Sequence, residues 1–276
     1  MSPHHLTPPS RLAARFATCQ AERRAALVTY VMAGDPDRAS SQALLSQLPA
    51  AGADIIELGM PFSDPMADGE AIQRAGQRAL GDGQTLAGTL AMVREFRRQD
   101  TTTPLVLMGY LNPIQCYGET RFLGDAAAAG VDGLIVVDLP PEHGAAFTVR
   151  ARDLGLARIP LVAPTTPAER LPALLAQGDG FVYRIAYNGI TGRAGNAPSG
   201  DMTSALAQLR EHTPLPLAVG FGIRDGDAAA AVAAVADAVV VGSALVERLE
   251  TQGQAAALAL VRELAERTHR RDHSIE

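Results

Sequence analysis

Eight short apolar runs, each followed by a longer Ala/Leu-rich stretch of helical character, constrain the fold of this chain more than any other feature. The runs are Ala26–Met32, Asp54–Leu58, Pro104–Met108, Gly133–Val137, Ile159–Ala163, Phe181–Ile185, Leu215–Val219 and Ala238–Val241. Several are apolar almost throughout, as parallel strands covered on both faces must be. The spacing predicts helices over Ser40–Ala51, Gly69–Leu80, Leu86–Arg98, Glu119–Ala129 and Pro141–Leu154, then Pro167–Ala176, Ser204–Glu211, Asp227–Val235 and Leu245–Arg267. A further helix, Arg11–Arg23, precedes the first strand. Eight such units in 276 residues point to an α/β fold of the (β/α)8 TIM-barrel type with an additional N-terminal helix. No Gly-x-Gly-x-x-Gly follows the first run, which argues against a dinucleotide-binding open sheet. With no linker or break in composition, residues 1–276 are expected to form one domain, frayed over 1–10 and 268–276.

Charge and cysteine usage narrow the function classes. A net charge of −6 is at odds with nucleic-acid binding, which calls for a basic face. The basic clusters at Arg23–Arg24 and Arg267–Arg271 are flanked by acids and read as solvated helix faces. The two cysteines, Cys19 and Cys116, lie far apart, and the six histidines have no ligand spacing outside the tail, so neither a disulfide framework nor a metal site is expected. The N-terminus has no basic-then-apolar leader pattern and no run is long enough to span a bilayer, which gives the expectation of a soluble, cytoplasmic protein.

Within that frame the stretch from Glu57 to Gly69 (ELGMPFSDPMADG) is the most informative for function. It sets Glu57 where the second strand runs out and Asp68 at the far end of a Gly/Pro-rich loop. Barrel enzymes keep their chemistry at the C-terminal ends of strands. A carboxylate there either pairs with a cation or takes part in chemistry. Three glycine turns follow the sixth, seventh and eighth strands: Asn188–Gly192, Gly220–Ile223 and Gly242–Ala244. Each serves a backbone need by itself, but together in the last third of a barrel they point to a phosphate site, because backbone amides and helix N-termini can approach an anion there.

These blocks, with Tyr30–Pro36 (YVMAGDP), Met108–Pro113 (MGYLNP), Asp132–Pro140 (DGLIVVDLP), Gly189–Gly192 and Val241–Ala244, run in the order of one family. From the Arg11–Phe16 region to about Val246 the chain resembles the tryptophan synthase α subunits. The Glu57–Gly69 block is specific to that family, whereas the glycine turns are shared with other phosphate-binding barrels. The resemblance implies retro-aldol cleavage of indole-3-glycerol phosphate to indole and glyceraldehyde 3-phosphate without a metal or organic cofactor. It also implies a β subunit, carrying pyridoxal phosphate, that receives the indole within an αββα assembly. Glu57 then matches the acid/base carboxylate acting at indole C3 and the side-chain hydroxyl, and Asp68 the carboxylate that accepts from the indole N–H. Burial is expected to hold Glu57 neutral while Asp68 stays ionised. Tyr30 matches an aromatic against the indole, Tyr110 and Asn112 the pocket loop after the third strand, and Tyr183 a tyrosine near the catalytic Glu or a plain core aromatic. Gly192, Gly222, Gly242 and Ser243 match the phosphate-binding positions. Pro61 and Asp64 fall on positions associated with the β-subunit interface.

Three residues depart from the family pattern: Met32 and Ala186 where Thr and Ser are usual, and Arg224 where Ser is usual after Gly-Phe-Gly-Ile. Arg224 is expected to point to solvent. Other functional classes stay open at this level: an isomerase or epimerase of the same fold, a regulatory partner of β without activity, or a lyase working alone.

Overall fold

Every strand pairs in parallel, and the pairing order β5-β4-β3-β2-β1-β9-β8-β7-β6 runs from one short edge strand to another that adjoins it in the chain. The computed structural model describes residues 10–185, 200–220 and 222–269. Its strands are β1 (Ala26–Met32), β2 (Ile55–Gly59), β3 (Leu105–Gly109), β4 (Gly133–Val136), β5 (Ala157–Arg158), β6 (Leu161–Val162), β7 (Val182–Ile185), β8 (Leu217–Gly220) and β9 (Ala238–Val241). β5 pairs with β4 and β6 with β7, and only Ile159-Pro160 lies between them, so the sheet curls back on itself as a barrel. The expected single fifth strand, Ile159–Ala163, is thus two pieces with an earlier start. Pro160 has no N–H to give a ladder, and the chain changes neighbour there: the Ile159 amide donates to Leu134 while the Pro160 carbonyl accepts from Tyr183.

The helices are α1 (Arg11–Ala21), α2 (Arg38–Ala51), α3 (Glu70–Gly81), α4 (Leu86–Arg97), α5 (Leu111–Tyr117), α6 (Glu119–Ala129), α7 (Pro141–Asp153), α8 (Leu171–Ala176), α9 (Gly200–His212), α10 (Gly226–Ala233) and α11 (Ser243–His269). Side-chain oxygens of Ser10, Asp37, Thr85 and Asp225 accept from the third residue onward and start α1, α2, α4 and α10. The expected helix from Pro167 begins as a 3-10 turn over Ala168–Arg170, and the last helix is broken at Gly253, whose φ is 81°. α5 stands where a loop was expected. Pro113 reads as a breaker in sequence but sits in the first turn of a helix, where no intrahelical amide bond is lost.

Two apolar layers hold the barrel. One lies between the outer face of the strands and the helices, with Leu44, Leu48, Phe96, Phe122, Leu260 and Leu264 among its buried members. The other fills the barrel interior with Val28, Ile55, Val106, Ile135, Phe181 and Val240, and Leu12, Phe16 and Cys19 of α1 plug it from below. The additional N-terminal helix is therefore part of the core; its Phe16 ring packs against Phe181 at 5.8 Å.

Acids at the N-terminal end of the barrel tie neighbouring strands together. Asp54, Asp132 and Asp237, each just before a strand, accept from the amides of Leu27, Leu105 and Leu217 on the adjacent strands. Asp132 also binds Arg11 and Arg97. Asp54 gathers Arg15, Arg24 and His269, and Arg24 reaches it at 2.7 Å. Burial works against ionisation of Asp54, but hydrogen bonds from His269 and Arg24 outweigh it and hold the carboxyl well below its usual range. Arg24 is therefore partly buried in an ion-pair network, contrary to the solvated face expected from sequence. Of the residues expected to fray, Ser10 instead caps α1, Thr268 is fully buried and His269 is engaged with Asp54, while 1–9 and 270–276 lie outside the described residues.

Candidate active site

Side chains on a strand alternate between faces. Ile55 lies in the interior layer, so Glu57, two residues on, also points into the barrel, and it is 1 % exposed. Its register partners Tyr30 on β1 and Val106 on β3 face the same way. Unlike the acids at the opposite end, neither Glu57 oxygen has a hydrogen-bond partner among the described residues. Burial, aided by the charge of Asp68, raises its pKa to about 8, as expected for a carboxyl kept neutral.

Asp68 closes the loop that Glu57 opens and lies just ahead of α3. The Tyr110 hydroxyl donates to its Oδ1 at 2.9 Å and accepts from the Ala67 amide at 3.0 Å, which pins this end of the loop. Burial raises the Asp68 pKa, and the Tyr110 hydrogen bond opposes that rise. The Phe62 ring packs on Tyr110 at 5.5 Å, linking the middle of the loop to the same tyrosine. Asp138, at the end of the fourth unit's strand, accepts from the Leu111 amide at 2.7 Å and fixes the start of α5 beside Tyr110. Neither Phe62 nor Asp138 was singled out in sequence, since nothing local marks a residue that works by holding its neighbour.

Tyr30 and Tyr183 complete the interior group. Burial raises both phenols well above their usual range; the charges of Asp68 and Glu57 add to this at Tyr30, and that of Glu57 at Tyr183. Their rings need glycine: a Cβ on Gly59 would stand 2.2 Å from the Tyr30 hydroxyl oxygen, and one on Gly220 would stand 2.3 Å from that of Tyr183. Met32, in the place of the family's usual Thr, is buried with its sulfur 3.9 Å from the Tyr30 hydroxyl and fills space beside that ring.

At the expected phosphate end, Gly242 precedes α11 and accepts from Leu245 and Val246, leaving the amides of Ser243 and Ala244 without a backbone partner among the described residues in the helix's first turn. Gly242 abuts Tyr30, a Cβ there lying 3.4 Å from that of the tyrosine. Gly222 takes a φ of +22° with open space around its Cβ position. Gly192 and Ala186 lie outside the described residues. Arg224 faces solvent, as expected, and pairs there with Glu247 at 3.3 Å. Asn112 lies inside α5, where its oxygen accepts from the Cys116 thiol. Of the two loop residues expected at a subunit interface, Asp64 is exposed and Pro61 is buried within the chain. Among the described residues no group of His, Cys, Asp and Glu is arranged to hold a metal ion. No described helix is long and apolar enough to cross a membrane.

A family model described as "Tryptophan synthase alpha chain" matches residues 16–274. The chain belongs to the tryptophan synthase α chain family. A solved tryptophan synthase α chain from Legionella pneumophila subsp. pneumophila is 37% identical, with a TM-score of 0.87 over 97% of this chain and 100% of that one. Tryptophan synthase of Mycobacterium tuberculosis is 39% identical, with a TM-score of 0.88 over 95% of this chain and 99% of that one. Membership makes this a carbon–carbon lyase of tryptophan biosynthesis that cleaves indole-3-glycerol phosphate to indole and glyceraldehyde 3-phosphate. The membership also implies a β-subunit partner.

Proposed function

We propose that Glu57 and Asp68 divide the acid–base work of that cleavage within one barrel domain. Glu57, neutral because it is buried without a partner, protonates indole C3 of the substrate. Asp68, oriented by Tyr110, accepts the indole N–H bond and stabilises the positive charge that C3 protonation creates. The carboxylate left on Glu57 then takes the proton of the side-chain hydroxyl as the carbon–carbon bond breaks. That step returns an electron pair to the ring, releases indole and glyceraldehyde 3-phosphate, and restores neutral Glu57. Tyr30 and Tyr183 wall the indole, and Gly192, Gly222, Gly242 and Ser243 bind the phosphate through backbone amides and the Ser243 hydroxyl. Amides at the first turn of a helix suit a dianion.

The observation that carries this reading is the contrast between Glu57 and the acids at the other end of the barrel: those are fully bonded, whereas Glu57 is buried and unpartnered. We further propose that the chain needs no cofactor of its own. It acts in the cytoplasm as the α part of an αββα assembly whose β subunit carries the pyridoxal phosphate, with Asp64 on the β-facing loop and Pro61 stiffening it. The test follows indole and glyceraldehyde 3-phosphate release by the purified chain, without and with β subunit, beside Asp68→Asn. Slow release, accelerated by β and lost in Asp68→Asn, supports the proposal. Fast release without β would make the chain a lyase working alone, and an active Asp68→Asn would remove that residue from the chemistry.

A further inference from the structure

A cavity of about 340 Å³ lies between α7 and α8. None of Glu57, Asp68, Tyr30, Tyr110 or Tyr183 lines it. Leu139, Leu161 and Leu174 give it apolar walls, and Thr148, Gln177 and Arg158 supply polar groups. Two further charges reach its edge and are already engaged: Asp138 accepts from the Leu111 amide, and Arg170 pairs with Glu142. Its volume is at the small end of ligand sites, which run from roughly 300 Å³ upward.

Arg158 sets this cavity apart. It stands on β5, partly buried, and its guanidinium donates to three carbonyls, those of Ile159 (2.9 Å), Leu139 (2.8 Å) and Val136 (3.4 Å). A guanidinium has five N–H groups. Two of them are therefore left over, and no carboxylate pairs with Arg158 among the described residues. Two other inward-set arginines are compensated by carboxylates: Arg24 by Asp54 and Glu22, and Arg97 by Asp132. Burial with no opposing charge lowers the Arg158 pKa to about 10, still high enough to keep the charge at neutral pH. A fixed, positively charged fork with spare donors in an apolar-walled cavity suits a planar or tetrahedral anion attached to an apolar body.

The geometry points to a binding site for a small organic anion with an apolar body, seated between α7 and α8 with its anionic group on Arg158. Nothing in this depends on the roles given to Glu57 and Asp68. The test is a titration of the full-length chain, labelled at Leu and Val methyls, with benzoate, phenyl phosphate and neutral benzamide at constant ionic strength. Saturable shifts at Leu139, Leu161 and Leu174 with benzoate or phenyl phosphate are expected, and the tighter of the two identifies the head group. Benzamide should bind at least about tenfold more weakly, and Arg158→Met should weaken the anions by a similar factor while indole release is unchanged; tenfold corresponds to about 1.4 kcal/mol. No shift at these methyls, or benzamide binding as tightly as benzoate, would overturn the site even if Arg158→Met failed to fold. Equal anion binding by a folded Arg158→Met would overturn the role of the arginine. Loss of indole release in every sample, with these shifts intact, would count against the lyase roles alone.

Discussion

At the scale of single residues, the feature that matters is a carboxyl without a partner. An unpaired buried acid lowers stability when it must ionise, so its retention needs a reason beyond packing. With its pKa raised to about 8, Glu57 supplies a proton donor at neutral pH. The expected kcat/KM profile therefore falls on the alkaline side near pH 8, and Glu57→Gln loses about 10²–10⁴-fold in kcat. A profile flat from pH 7 to 10 would contradict that role. The same group makes stability depend on pH. Its folded-state pKa lies above the ordinary 4.5, so the folded chain holds a proton that the unfolded chain has released between those values. Its contribution is complete below about pH 4.5 and is lost as pH rises through about 8. Glu57→Gln cannot ionise, so its Tm relative to the parent should rise between pH 5 and pH 9 by several degrees, at about 2–4 °C per kcal/mol for a chain near this size. Thermal melts at the two pH values check it, and a constant difference would mean that Glu57 ionises normally.

At the scale of elements, the strands that carry the site were legible because period and length alone mark a buried parallel strand. β1 and β9 have the expected limits, and β2 and β3 shift by one residue at each end. The features missed depend on partners distant in sequence. The split of the fifth strand follows from which neighbours flank Pro160, and the Asp54 hub joins residues from Arg15 to His269. Local pattern cannot report either. Such a hub at the N-terminal face serves stability. Asp54→Ala takes from Arg24 its buried partner, leaving it only the exposed Glu22, and leaves the Leu27 amide unpaired beneath the barrel; it should cost about 3–5 kcal/mol in urea melts, with kcat of the folded protein unchanged. Glycines on the strands act in the opposite sense, by making room at the catalytic end. A methyl on Gly220 would stand 2.3 Å from the Tyr183 hydroxyl oxygen and 2.8 Å from its ring, so Gly220→Ala must displace that ring. Because misplacement by about 1 Å can cost about 10²-fold, indole release should fall roughly 10–100-fold with a much smaller change in Tm. Unaltered turnover would remove Tyr183 from the pocket wall.

At the scale of the whole molecule, the barrel separates two uses of charge: bonded acids below, and an acid pair above whose loop turns outward. That loop carries Met66, 83 % exposed, close to the exposed Asp64, so its tip offers both an apolar and a charged contact. From the tip, Phe62 packs on Tyr110, and Tyr110 holds Asp68. A partner pressing on residues 63–66 thus reaches the Asp68 carboxylate through two aromatic rings rather than by a long path. Such coupling requires the partner to favour one loop conformation over another, since a ligand shifts an equilibrium only by its differential affinity. Asp64 makes a hydrogen bond with its neighbour Ser63 and none to the acid pair. Asp64→Arg should accordingly leave turnover of the isolated chain within about twofold, while weakening the acceleration by β about tenfold at fixed β concentration, the effect of about 1.4 kcal/mol. Phe62→Ala breaks the link rather than the contact, so β should still bind but accelerate less. Equal acceleration of both variants and the parent, with β binding intact in titration, would place the route from β to Asp68 outside this loop.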